Sequence, residues 1–90
     1  MTLPDADLPL YSHPLPEIEE WLTSQGCEQD SIELHCWRVD RSSWKAEIWL
    51  DVEELVVRYL EAGEGGKDIS RSFRYSLTRQ DIEDAVFAGP

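Results

Sequence analysis

From Trp44 to Val52 the chain alternates: Trp44, Ala46, Ile48, Leu50 and Val52 against Lys45, Glu47, Trp49 and Asp51. Period two marks a strand with one buried face. A helical stripe competes with it, since Ile48, Val52, Leu55, Val56 and Tyr59 recur at i, i+4, i+7, i+8 and i+11. Three features decide for strands. No capping box precedes the segment, because Lys45 and Ala46 stand three residues after Ser42 and Ser43. Residues 55–60 are rich in β-branched and aromatic side chains. The segment also follows another alternating stretch after a short turn, as a meander does. Residues 44–60 are therefore expected as two antiparallel strands, with Ile48 and Leu50 inward and Trp49 outward, although Glu53 and Glu54 offer the turn neither Gly nor Asn.

The rest of the chain is read the same way. Ile32, Leu34 and Cys36 alternate with Glu33, His35 and Trp37, predicting a first strand with the first set inward, after a loop over 28–31. Asp40, Arg41, Ser42 and Ser43 supply a turn. Gly63-Glu-Gly-Gly66 is read as a hairpin connection. It lacks the Lys-Ser/Thr of a phosphate-binding loop and opens no helix. Ile69, Phe73, Tyr75 and Leu77 belong to a fourth strand. Pro16 suits the first turn of a helix over 15–25, with Ile18, Trp21 and Leu22 on one side and Gly26 as its stop. Thr78 is the expected N-cap of a last helix, with Asp81 three residues on, Leu77 and Ile82 placed for a hydrophobic staple, and Ile82, Ala85 and Val86 inward.

The predicted fold class is α+β: a four-stranded antiparallel meander sheet with an N-terminal and a C-terminal helix on one face, in the order α-β-β-β-β-α. Pro4, Pro9 and Pro14 make residues 1–14 a proline-rich extended arm, leaving 15–90 as a single α+β domain.

Composition adds three constraints. The chain has 90 residues, 41% of them hydrophobic, which suits one small folded domain. No apolar run approaches the ~20 residues of a membrane span. The segment MTLPDADLPLYSHPLP has neither a positive start nor an unbroken apolar core, so it is not expected to be a secretory signal, and the chain reads as cytoplasmic.

The net charge is −11, which disfavours nucleic acid and anionic lipid as partners. Its distribution is uneven. Residues 1–37 carry eight acidic side chains and no Lys or Arg, whereas all eight basic residues lie from Arg38 to Arg79, beside eight acidic ones. The molecule is thus expected to have an acidic side and a mixed side.

Candidate chemistry is sparse. Cys27 and Cys36 are expected to be reduced thiols without metal, since adjacent His35 and Cys36 point to opposite faces of a strand. No nucleophile stands at a readable spacing from either His13 or His35, so neither catalytic residues, cofactor nor metal is assigned. The outward face of the predicted sheet holds more. It gathers His35, Trp37, Lys45, Glu47, Trp49, Arg58 and Arg74, a composition that matches interface hot spots. The same pattern also describes cross-strand packing, each Arg stem covering a Trp with a cation–π gain of ~0.5–1 kcal/mol.

The segments LYSHPLPEIEEWL, LHCWRV, WKAEIWLDVEELVVRYL and RSFRYSLTRQDIEDAVFAGP resemble a small family of uncharacterised cyanobacterial proteins with chloroplast relatives, a domain of unknown function. The resemblance runs from Leu10 to Pro90 and is most specific in YSLTRQDIEDAVFAGP. It implies a phototroph host, a stromal location for plastid relatives and an assembly or accessory role, and it transfers no catalytic residue. The reading is a noncatalytic protein-interaction module whose partner, or a second copy, meets Trp37, Trp49, Arg58, Arg74 and Lys45. The alternatives are single-stranded nucleic-acid binding through the same aromatic and Arg face, and a small-ligand binder or enzyme of unknown class.

Overall fold

The computed structural model describes residues 6–90. Pro4 of the expected arm lies outside them. The described part of that segment is not a free arm. Leu8 and Ala6 accept hydrogen bonds from Arg79 N and Gln80 N, and Leu10 N and Tyr11 N donate to Leu77 O and Tyr75 O. Leu10, in a short 3-10 turn over Leu10–Ser12, is fully buried. One apolar side chain, seated in the core, thus docks what prolines alone would leave extended.

Helix α1 spans Leu15–Ser24, with Pro16 in its first turn as the sequence requires. It stops at Gly26, whose φ of +87° only glycine adopts without strain. Cys27 N donates to Leu22 O and Gly26 N to Thr23 O, the paired closure of a Schellman end. Ile18, Trp21 and Leu22 are its buried face.

Among the described residues the sheet has five strands, not four: β1 Glu28–Gln29, β2 Cys36–Asp40, β3 Lys45–Leu50, β4 Glu54–Tyr59 and β5 Ile69–Arg74. All neighbours are antiparallel and the order is β1-β2-β3-β4-β5, an unbroken meander. Strand β1 escapes a reading of hydrophobic period because both its residues are polar and exposed. Only pairing with β2, Glu28 to Arg38 and Gln29 to Trp37, makes it a strand.

Residues 44–60 form two strands, as the alternation requires. Leu50 pairs with Leu55 at the end of the β3–β4 hairpin, and Asp51 N donates to Glu54 O across its tip. The alternation overshoots by one position: Val52, expected inward, is 97% exposed in that tip.

The first predicted strand needs a larger correction. Ile32 and Leu34 are not inward strand residues; they are 84% and 62% exposed in a turn. Asp30 Oδ2 builds that turn by accepting from Ile32 N at 3.0 Å and Glu33 N at 2.7 Å, an Asx arrangement. Pairing with β3 then starts at Cys36, and the faces come out inverted. Trp37 pairs with Ile48 and Val39 with Ala46, so Trp37 and Val39 face the core. Cys36, opposite Trp49, stands on the other side.

Helix α2, Arg79–Val86, begins as expected at Thr78, whose side chain accepts from Asp81 N at 3.1 Å. Ile82 and Val86 are buried, and Ala85 is half-buried. Both helices cover one sheet face. The core joins Ile18, Trp21 and Leu22 of α1 and Ile82 and Val86 of α2 to Trp37, Val39, Ala46, Ile48, Leu55, Val57 and Tyr59. The Tyr59 hydroxyl donates to Val86 O at 2.7 Å, tying β4 to the end of α2.

Candidate functional site

Because the helices occupy one face, the other is set by register alone. Its central row runs Cys36, Trp49, Val56 and Ser72 across β2 to β5. A second row places Arg38, Glu47, Arg58 and Ser70 side by side. Beyond them Lys45 pairs with Asp40, and Arg74 with Glu54. Four of the five expected contact residues, Trp49, Arg58, Arg74 and Lys45, therefore share this surface. Trp37 does not. It is 5% exposed on the opposite face and belongs to the core.

Trp49 is half-buried at the centre of the open face. Its ring lies 5.3 Å from that of His35, tilted by 57°. Cys36 beside it is buried although it faces away from the core, and Val56 is half-buried, so the centre of the face is apolar. The expected stacking of Arg on Trp is not the arrangement described. Arg58 instead lies 3.9 Å from the Glu47 carboxylate, and Arg38 donates to Asp30 Oδ1 at 2.6 Å. The cation–π contacts described are Arg71 over Tyr59 and Arg41 over Phe87, both at 5.5 Å.

The electrostatics of this face follow from the same register. Glu28, Asp40, Glu47 and Glu54 interleave with Arg38, Lys45, Arg58 and Arg74 on the same side of the sheet. The face is balanced in charge, because antiparallel pairing brings opposite charges together as cross-strand neighbours.

The thiols are buried and free. Burial pushes Cys27 up to about 11, against a smaller lowering by Arg41. Cys36 is pushed up by burial first and then by Glu47, Asp30 and Glu33, with Arg38 opposing. Neither has the lowered pKa of a nucleophilic thiol. Cys27 packs in the core and Cys36 on the outer side, so the sheet separates them. Among the described residues no three His, Cys, Asp or Glu side chains form a group suited to a metal. His13 faces Glu17 at 3.5 Å with its side chain buried, and His35 is taken up with Trp49.

A second surface was missed by sequence reasoning. At the end of the sheet near the β3–β4 tip, two adjoining depressions of about 210 and 370 Å³ share Leu15 and Leu50. One is completed by Tyr11, Ile18, Asp51 and Tyr75, the other by Glu19, Gln29, Leu34 and His35. Leu15, Leu34 and Tyr11 are each more than half exposed there. The available signal was Leu15, which precedes Pro16 and lies outside the buried stripe of α1. Leu34 gave no warning, because alternation placed it in the core.

Comparison with known proteins finds one family, described as "Protein of unknown function (DUF3143)", matching residues 25–89. No curated protein and no solved structure matches the chain. The chain belongs to the DUF3143 family. The match takes in every strand and α2, and stops short of α1.

Proposed function

We propose that this member of the family is a noncatalytic protein-interaction module that engages its partner through the open sheet face centred on Trp49. The observation that carries the reading is Trp49 itself: a large aromatic in the middle of a sheet face that neither helix covers, with apolar Cys36 and Val56 beside it. Central aromatics ringed by charged groups are where interface energy concentrates. The balanced rim of Arg38, Lys45, Arg58 and Arg74 with four carboxylates favours a partner patch with an apolar centre and both charge signs around it. A second copy of the chain meets that description too. The balance weighs against a single-stranded nucleic acid, which needs a basic track along its backbone. The resemblance to cyanobacterial and chloroplast proteins supports an accessory or assembly role in a phototroph, in the cytoplasm or stroma. No helix among the described residues is long and apolar enough to cross a membrane.

The test is the double change Trp49→Ala with Arg58→Ala, read by pull-down, sedimentation and thermal melting. Partner or self-association is expected to weaken by ~2 kcal/mol or more while the melting temperature stays close to the parent's. Retention of every partner and of the same oligomeric state ends the proposal.

A further inference from the structure

We propose that the apolar groove between the start of α1 and the β3–β4 hairpin docks a cationic amphipathic segment of a partner protein. Its floor is Leu15, Ile18, Leu34 and Leu50, with Tyr11 and Tyr75 at one end. Leu15 and Leu34 are 56% and 62% exposed, although α1 and the core had room to bury other leucines completely. Exposed apolar side chains gathered around one concavity are the usual mark of a docking site rather than of scattered surface.

Charge identifies the occupant. Glu19 and Asp51 line the groove on its two sides. Glu53 and Glu54 flank Tyr11 and Tyr75 just beyond, accompanied by Arg74 as the local cation. The negative field is felt by Tyr75, whose hydroxyl donates to Asp51 O; burial, then Asp51 and Glu54, push it up to about 12. Nothing from residue 1 to residue 37 is a Lys or Arg that would neutralise this end. A segment presenting two or three apolar anchors between Lys or Arg residues would seat its anchors on the leucines and its cations on Glu19 and Asp51. A second copy is disfavoured, since two such rims would meet with like charge. The groove borders the Trp49 face at His35, which lines one depression and packs against Trp49. Arg58 lies outside the groove lining, so the two assignments are tested by different residues.

The full chain, isotopically labelled at its methyl groups, is titrated with a short amphipathic Leu/Lys peptide and with its Leu/Glu counterpart. The Leu/Lys peptide is expected to shift Leu15, Ile18, Leu34 and Leu50 first, and the Leu/Glu peptide to leave them in place. Leu15→Ser with Leu34→Ser, both at exposed positions, should weaken the Leu/Lys peptide about tenfold or more. Glu19→Gln with Asp51→Asn should weaken it and flatten its salt dependence, whereas Arg58→Ala, outside the groove lining, should leave it unchanged. Equal affinity for the Leu/Glu peptide overturns the proposal. So do shifts scattered over the acidic surface, an undiminished affinity in the double Ser variant, groove-dependent self-association in sedimentation, or equal binding to phosphatidylcholine vesicles.

Discussion

The indole N–H of Trp21 in α1 donates to the Glu83 carboxylate in α2 at 2.9 Å, across a separation of 62 residues. The same carboxylate oxygen accepts from Gln25 at 3.1 Å and from Arg79 one turn earlier in α2. Trp21 is almost completely buried, so this carboxylate satisfies a donor that water cannot reach. The helices are thereby joined by a polar hub as well as by the edge-on contact of Trp21 with Phe87.

Glu83→Ala should cost ~1–3 kcal/mol, because it strands the Trp21 N–H and leaves Arg79 without its partner. Glu83→Gln keeps an acceptor for Trp21 but not the charge for Arg79, and should lose less. Thermal melting of the two variants checks the order; equal stability of all three proteins would refute the hub.

Trp37 offers a contrast within the same core. Its indole N–H is buried with no acceptor among the described residues. Trp37→Phe removes that donor along with some volume, and should cost less than ~1.5 kcal/mol. Trp37→Ala leaves a large cavity and should cost ~3–5 kcal/mol. Denaturant unfolding of the pair separates volume from polarity. If Phe proved as damaging as Ala, the N–H would have a use that the packing does not show.

Tyr75 predicts an alkaline limit to stability. Its pKa rises from 10.0 to about 12 on folding, through burial and then the Asp51 and Glu54 charges. A raised folded pKa in a group that is neutral when protonated stabilises fully below the unfolded value and fades as pH climbs through the folded one. Stability should therefore fall between pH 10 and about 12. Tyr75→Phe should be less steep across that window, though weaker at neutral pH because the bond to Asp51 O is lost. Denaturant midpoints against pH test it, and parallel slopes for the two proteins would refute it.

The thiols should be silent in the folded protein. Cys27, buried and pushed up to about 11, and Cys36, buried beside Trp49, expose little thiolate at pH 8. A thiol-reactive chromophore should label both only as fast as the chain opens. Native mass spectrometry should find two free thiols and no zinc. Rapid labelling of either, or a mass lower by two hydrogens, would contradict the packing.

Local chemistry written in adjacent residues was legible without a structure. Pro16 and Gly26 bracket α1, Thr78 caps α2 by bonding Asp81 N, and the alternation of Ala46, Ile48 and Leu50 survives unchanged in β3. Each depends on dihedral preference or on a hydrophobic period inside one element, which the sequence carries by itself. The α+β class and the open face with Trp49 follow from those signals. What tertiary structure decided was phase and partnership. Ile32, Leu34 and Cys36 alternate as well as any strand, yet Asp30 binds the Ile32 and Glu33 amides and turns the chain before Cys36. That short turn inverts which side Trp37 and Cys36 face, since a shift of one residue exchanges every side chain between faces. Strand β1, the seating of Leu10 and the convergence of Leu15, Leu34 and Leu50 on one groove have the same origin. They arise from contacts between residues far apart in sequence, where period and propensity carry no information.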